Sequence, residues 1–151
     1  MSELQIHLRK LGSLKLNVNI NMERSRDWMD QAEGDLEPAQ SDMERGFYNW
    51  SCFSSQQAAE KGVKAVFQKM GAEAWGYSVS DLLQELSKNH DVPKELIDAA
   101  LELDKAYIPT RYPNAHPLGS PKSRYIEEEA RRLFNHADKI IKFCTDLLSK
   151  I

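Results

Sequence analysis

The chain has no long uninterrupted apolar run, and nothing at its start joins a basic segment to an extended apolar one. A membrane helix and a secretory leader are not expected, and a cytoplasmic location is. Cysteine is scarce, with Cys52 and Cys144 alone among 151 residues and no CxxC spacing. Both fall within apolar helical patterns, as small buried hydrophobes do, which argues against a disulfide framework or a reactive thiol. The four histidines do not cluster with cysteine at ligand spacing, so neither a metal site nor a cofactor is expected. An excess of positive charge is also missing: 20 Lys and Arg face 23 Asp and Glu, for a net charge of −3. Any contact with nucleic acid must therefore come from a local patch.

What is present is ordinary for one globular domain, with 41% hydrophobic and 28% charged residues and no internal repeat. Residues 1–21 differ from the rest. Leu4, Ile6 and Leu8, then Leu14, Leu16, Val18 and Ile20, alternate with polar residues around Leu11-Gly12-Ser13. This stretch reads either as a small β-hairpin or as an extension of no fixed role, set apart from a domain over 22–151.

From Met22 the period becomes helical. Trp28, Ala32, Leu36, Ala39 and Met43 share one face of a first long helix ending near Gly46, with a kink expected between Gly34 and Pro38. A second runs from about Tyr48 to Met70, carrying the stripe Cys52, Ser55, Ala59, Val63, Val66 and Met70, which Trp50, Phe53 and Phe67 widen. That breadth predicts a central helix, and the small Ala58, Ala59, Gly62 and Ala65 allow a neighbour to come close. Glu60 and Lys64 are spaced as an i,i+4 pair on a solvated flank. Two shorter helices follow, Asp81 to about Lys88 behind a Ser78 or Ser80 cap, and Pro93 to about Ala106 with Leu96, Ile97, Ala100, Leu101 and Leu103 buried. Ser123 caps the last long helix, whose apolar stripe begins at Ile126. The sum is an all-α, up-and-down antiparallel bundle of about five helices, three long and two short.

One stretch cannot be helix. Tyr107-Ile108-Pro109-Thr110-Arg111-Tyr112-Pro113-Asn114-Ala115-His116-Pro117 holds three prolines, yet keeps aromatic and basic side chains that a spacer does not need. Arg111 can grip a phosphate, and Tyr107 or Tyr112 can offer a face to a base. Lys61, Lys64, Lys105 and Arg124 would add charge if they line the same cleft. The structural alternative is that the tyrosines pack the loop down while Arg111 pairs with Asp104 or a helix-end carbonyl.

Three linked motifs carry a resemblance. Trp28-x2-Gln31-Ala32-x2-Asp35-Leu36, then Phe47-Tyr48-x-Trp50-x-Cys52-Phe53-x2-Gln56-Gln57-Ala58-Ala59-Glu60-Lys61-x2-Lys64-Ala65, then Tyr107-Ile108-Pro109-Thr110-Arg111-Tyr112-Pro113 resemble the HEPN domain family (higher eukaryotes and prokaryotes nucleotide-binding) over about residues 23–148. The resemblance implies a helical bundle, often a homodimer, that binds a nucleotide or RNA and is frequently partnered by a separately encoded nucleotidyltransferase. Some branches are metal-independent ribonucleases, toxins among them, whose signature is Arg followed four to six residues later by His. Other branches are non-catalytic binding or structural assembly modules.

Two places in the chain have that spacing. Arg131 and His136 diverge by about 140° on a helix, whereas Arg132 and His136 share a face. Arg111 and His116 lie in the loop, where an imidazole titrating near neutrality and a permanent cation suit acid–base chemistry at a phosphate. The intervening prolines depart from the ribonuclease pattern. The expectation is a binding domain using Arg111, Tyr107, Tyr112, Lys64 and Lys61, with a metal-independent ribonuclease or toxin using Arg111 and His116, or a non-catalytic structural assembly module, as the alternatives.

Overall fold

The computed structural model describes residues 23–151, so the alternating stretch at 1–21 lies outside the described residues. Within them every regular element is helical: α1 Ser25–Glu44, α2 Tyr48–Lys69, α3 Val79–Leu86, α4 Lys94–Asp104, a 3-10 turn Pro113–Ala115, the four-residue α5 Pro121–Arg124, and α6 Glu127–Leu148. The expected bundle of three long and two shorter helices is present, with α5 as one extra turn.

Glycines in the left-handed region, Gly46 at φ 85° and Gly71 at φ 70°, end α1 and α2 where a side chain would be strained. The three residues between α1 and α2 leave the chain no route except straight back, which makes the pair antiparallel. α2 is central: it packs most extensively on α1, next on α6, and also touches α3, α4 and α5. Gly62 explains how closely three helices meet. A methyl group there would come within 3.2 Å of Ile141 Cγ1 on α6 and 3.9 Å of Ala32 Cβ on α1. Cys52, Ala59, Val63 and Val66 are fully buried along this seam, and Ala130, Leu133, Ala137, Ile140 and Cys144 answer from α6.

α1 runs through Pro38 as one 20-residue helix and is not split there; Gly34, whose carbonyl loses its helical donor to Pro38, lies at an exposed position where water can replace it. Several expectations are corrected. Trp50 does not widen the core and is 48% exposed, because it lies about 160° around the helix from Cys52. Met70 and Leu101 are also exposed. Ser123 does not cap the last helix. Pro121 starts α5 instead, Tyr125 and Ile126 are extended, and α6 begins after an exposed Ile126 with no side-chain cap. Nor do Glu60 and Lys64 lie on a solvated flank: their side chains are 11% and 17% exposed and pair at 3.5 Å.

Candidate functional site

The proline-rich segment departs from α4 as a series of turns, with Arg111 N–H donating to the Ile108 carbonyl at 3.1 Å. Its midpoint is pinned. Thr110 is fully buried, its Oγ1 donates to the Ala106 carbonyl at 2.6 Å, and its own carbonyl accepts from Asn49 Nδ2 at 3.0 Å. Asn49 belongs to the first turn of α2, so the loop is fixed to the central helix by a buried amide. Sequence reasoning missed Asn49, since no spacing rule links positions so far apart.

Arg111 folds back over its own turn. Nε and Nη2 both donate to the Tyr107 carbonyl, at 3.0 and 2.7 Å. The guanidinium lies 4.2 Å from the Phe53 ring centroid, 4.9 Å from that of Tyr107 and 5.1 Å from that of Tyr112. These contacts hold the cation by ring quadrupoles and a carbonyl dipole. No carboxylate among the described residues lies within ion-pair distance of it. With the Nε/Nη2 edge occupied, the Nη1/Nη2 edge keeps the two-pronged geometry that phosphate oxygens match. Phe53, which the sequence pattern assigns to the core, is thus the ring nearest the cation.

Asp104 serves a different end. Its carboxylate accepts from the Ser78 and Ser80 hydroxyls and from the backbone N–H groups of Val79 and Ser80, closing the N-terminus of α3 where the helix dipole favours an anion. The fully buried Gln56 adds a hydrogen bond from Nε2 to the Tyr77 carbonyl at 2.9 Å. Between these two anchors the Tyr77 ring stacks on Tyr107, with centroids 3.9 Å apart and planes 9° from parallel.

His116 binds the same turn. Its Nε2 lies 2.6 Å from the Pro109 carbonyl, and because a carbonyl only accepts, Nε2 carries the hydrogen and Nδ1 the lone pair in the neutral ring. Arg111 and His116 therefore hold carbonyls two residues apart. The imidazole meets Tyr125 edge-on at 6.2 Å, and Tyr125 lines a cavity of about 460 Å³ together with Glu102, Lys105, Glu129 and Arg132. Burial, with Glu129 nearby, pushes the Tyr125 phenol up to about 12.

The other candidate cations lie elsewhere. Lys61 pairs with Asp35 of α1, while Lys64 pairs with Glu60 and sits 5.8 Å from the Trp28 ring centroid. They are roughly 12 and 16 Å along α2 from Phe53 and do not join the Arg111 group. Arg124 donates to the Leu118 carbonyl. Arg131 pairs with Glu127, whereas Arg132 and His136 both reach Glu102, at 2.8 and 3.3 Å. Among the described residues no helix is long and apolar enough to cross a membrane, and no three His, Cys, Asp or Glu side chains converge as metal ligands would.

An up-and-down bundle that displays an arginine in an aromatic turn after its fourth helix defines a class of small helical domains. The chain belongs to the HEPN domain family, whose sequence model matches residues 25–147. A HEPN domain protein of Thermotoga maritima, known from its crystal structure, is 62% identical, with a TM-score of 0.70 over 83% of this chain and 99% of its own. The protein TT1696 of Thermus thermophilus is 46% identical, with a TM-score of 0.80 over 83% of this chain and 98% of its own. A Methanocaldococcus jannaschii protein described as a candidate toxin, MJ1304, is 28% identical over 86% of this chain and 91% of its own length.

Proposed function

We propose that this chain binds the phosphate of a nucleotide or of RNA at the loop centred on Arg111, with Tyr107 and Tyr112 as flanking rings. The observation that carries this reading is an oriented guanidinium with, among the described residues, one donor edge unused and no carboxylate within ion-pair distance. A half-buried cation in that state gains more from an arriving anion than one already in an ion pair. Lys61 and Lys64, engaged with Asp35 and Glu60, contribute only if those pairs open. The reading extends to a homodimer acting with a separately encoded nucleotidyltransferase, which the family resemblance suggests; co-purification of the two proteins tests it.

A second reading is favoured by His116 and by the relative described as a candidate toxin. In the neutral tautomer Nδ1 is the unprotonated nitrogen of a ring held on the same turn as Arg111, which is the base a metal-independent ribonuclease of the toxin kind would need to take the 2′-hydroxyl proton. Incubation with mixed RNA in EDTA separates the two. Intact RNA, with nucleotide binding weakened in Arg111→Ala and retained in His116→Ala, supports the binding domain. Cleavage that survives EDTA and is lost in both variants supports the ribonuclease.

A further inference from the structure

The three long helices share one end. α1 opens there at Ser25, and α2 and α6 close there at Lys69 and Leu148, with a groove of about 390 Å³ between them. Met29 and Leu148 form its apolar part, Arg26 and Lys69 are its cations, and Asp30 and Glu33 are its carboxylates. The cations have an anion of their own. Glu23 accepts from the Ser25 N–H, and that bond, with Lys69 and Arg26 nearby, holds its carboxyl below the usual value of 4.5. The groove carboxylates have no such partner. Asp30 and Glu33 are exposed and continue along α1 into Glu37 within a sector of about 60°, and none of the three forms an ion pair among the described residues. Like charges three and four residues apart repel, so this flank favours an incoming cation. Just past Lys69 and Leu148, Met70 and Ile151 are 37% and 40% exposed.

We propose that this groove is the docking site of residues 1–21 of the same chain, with their apolar side against Met29, Leu148, Met70 and Ile151 and their basic residues against Asp30 and Glu33. Three observations support it. The segment is attached at the groove, because α1 starts at Ser25, one of the residues that line it, and no linker has to be spanned. Its pattern supplies an apolar side, Leu14, Leu16, Val18 and Ile20, which a lone hairpin of this size cannot bury by itself. Its charge is also complementary. Arg9, Lys10 and Lys15 face the single Glu3 within the segment, whereas every other Asp and Glu of the chain lies beyond it. The C-terminal ends of α2 and α6 add partial negative charge at the same place. The Arg111 loop is at the other end of the bundle, since Asn49 and Lys69 are about 30 Å apart along α2. Docking here therefore neither covers that loop nor depends on the phosphate reading.

The test has two readouts. The first is zero-length carbodiimide cross-linking, which joins an amine to a carboxylate in contact, on an equal mixture of isotope-labelled and unlabelled full chain. Bonds from Lys10 or Lys15 to Asp30 or Glu33 within one chain are expected. The same bonds between labelled and unlabelled chains assign the groove to a second copy, and bonds to neither carboxylate leave it empty; both results overturn the proposal. The second readout is thermal unfolding of the full chain and of a chain starting at Met22. The bundle folds without the segment in its relatives, since 98 and 99% of the length of two solved ones is matched by 83% of this chain, and the family model begins at residue 25. The shorter chain is expected to melt about 5 °C lower. Glu33→Lys relieves repulsion with Asp30 and Glu37, so in the shorter chain it should leave Tm unchanged or raise it, while in the full chain it should lower Tm. Leu16→Asp in the full chain should bring Tm down to that of the shorter one. Equal effects of Glu33→Lys in both chains, or a full chain that melts no higher than the shorter one, overturn the docking.

Discussion

Asn49 donates its side-chain amide to the carbonyl of Thr110 across 3.0 Å, with both residues buried and 61 positions apart in the chain. A buried carbonyl that loses its donor costs about 1–3 kcal/mol. Asn49→Ala should lower stability by that amount in urea unfolding and weaken ligand binding at Arg111, since the loop loses its tie to α2. Unchanged stability would mean that water replaces the amide.

Arg111→Lys keeps the charge but not the plane. An ammonium cannot donate two parallel hydrogen bonds to the Tyr107 carbonyl while lying flat over Phe53. Phosphate affinity is expected to fall about tenfold relative to wild type, most of the loss seen in Arg111→Ala. Affinity equal to wild type in calorimetric titration would show that charge alone suffices.

The two cysteines should be silent in the native state. Burial pushes both thiols up to about 12, with Glu129 reinforcing the effect at Cys52. At pH 8 very little thiolate is present, so a disulfide-exchange reagent should label neither residue until denaturant is added. Rapid labelling of the native protein would contradict the buried placement.

Glu102 gives the fold an acid-sensitive contact between α4 and α6. Burial alone would raise its carboxyl, but hydrogen bonds from Arg132 and His136 outweigh that and leave it below the ordinary value of 4.5. A carboxyl more acidic in the folded chain stabilises it above the unfolded pKa, and the contribution is lost as pH falls through the folded value. At 40% exposure the effect is under about 1 kcal/mol. The Tm gap between wild type and Glu102→Gln should be present at pH 7 and close below about pH 4.

What local pattern could reveal, it did. The period of α6 was legible, as was the helical phase that puts Arg132 and His136 on one face, where both reach Glu102. Trp50 shows the limit, because an apolar residue beside an apolar stripe looks buried until the neighbouring helices are known. Ile126 failed for a different reason: Pro121 opened a separate turn, and the start of α6 moved past it. The loop was recognisable by its prolines, but its supports were not. Asn49, Gln56 and Asp104 act on partners 21 to 61 residues away, through hydrogen bonds that leave no period in the sequence.

The clasp between Arg111 and the Tyr107 carbonyl also governs how a ligand would arrive. A guanidinium held by a neutral carbonyl, with no salt bridge to any described residue, would present an incoming phosphate with no competing anion from those residues at the point of contact. The net charge of −3 meanwhile offers a polyanion no distant attraction. On the phosphate reading proposed above, capture at this loop would be a short-range event: slow in its encounter, dependent on close fit, and displacing about one counterion, so that added salt would loosen it far less than it would a protein that binds through a basic surface.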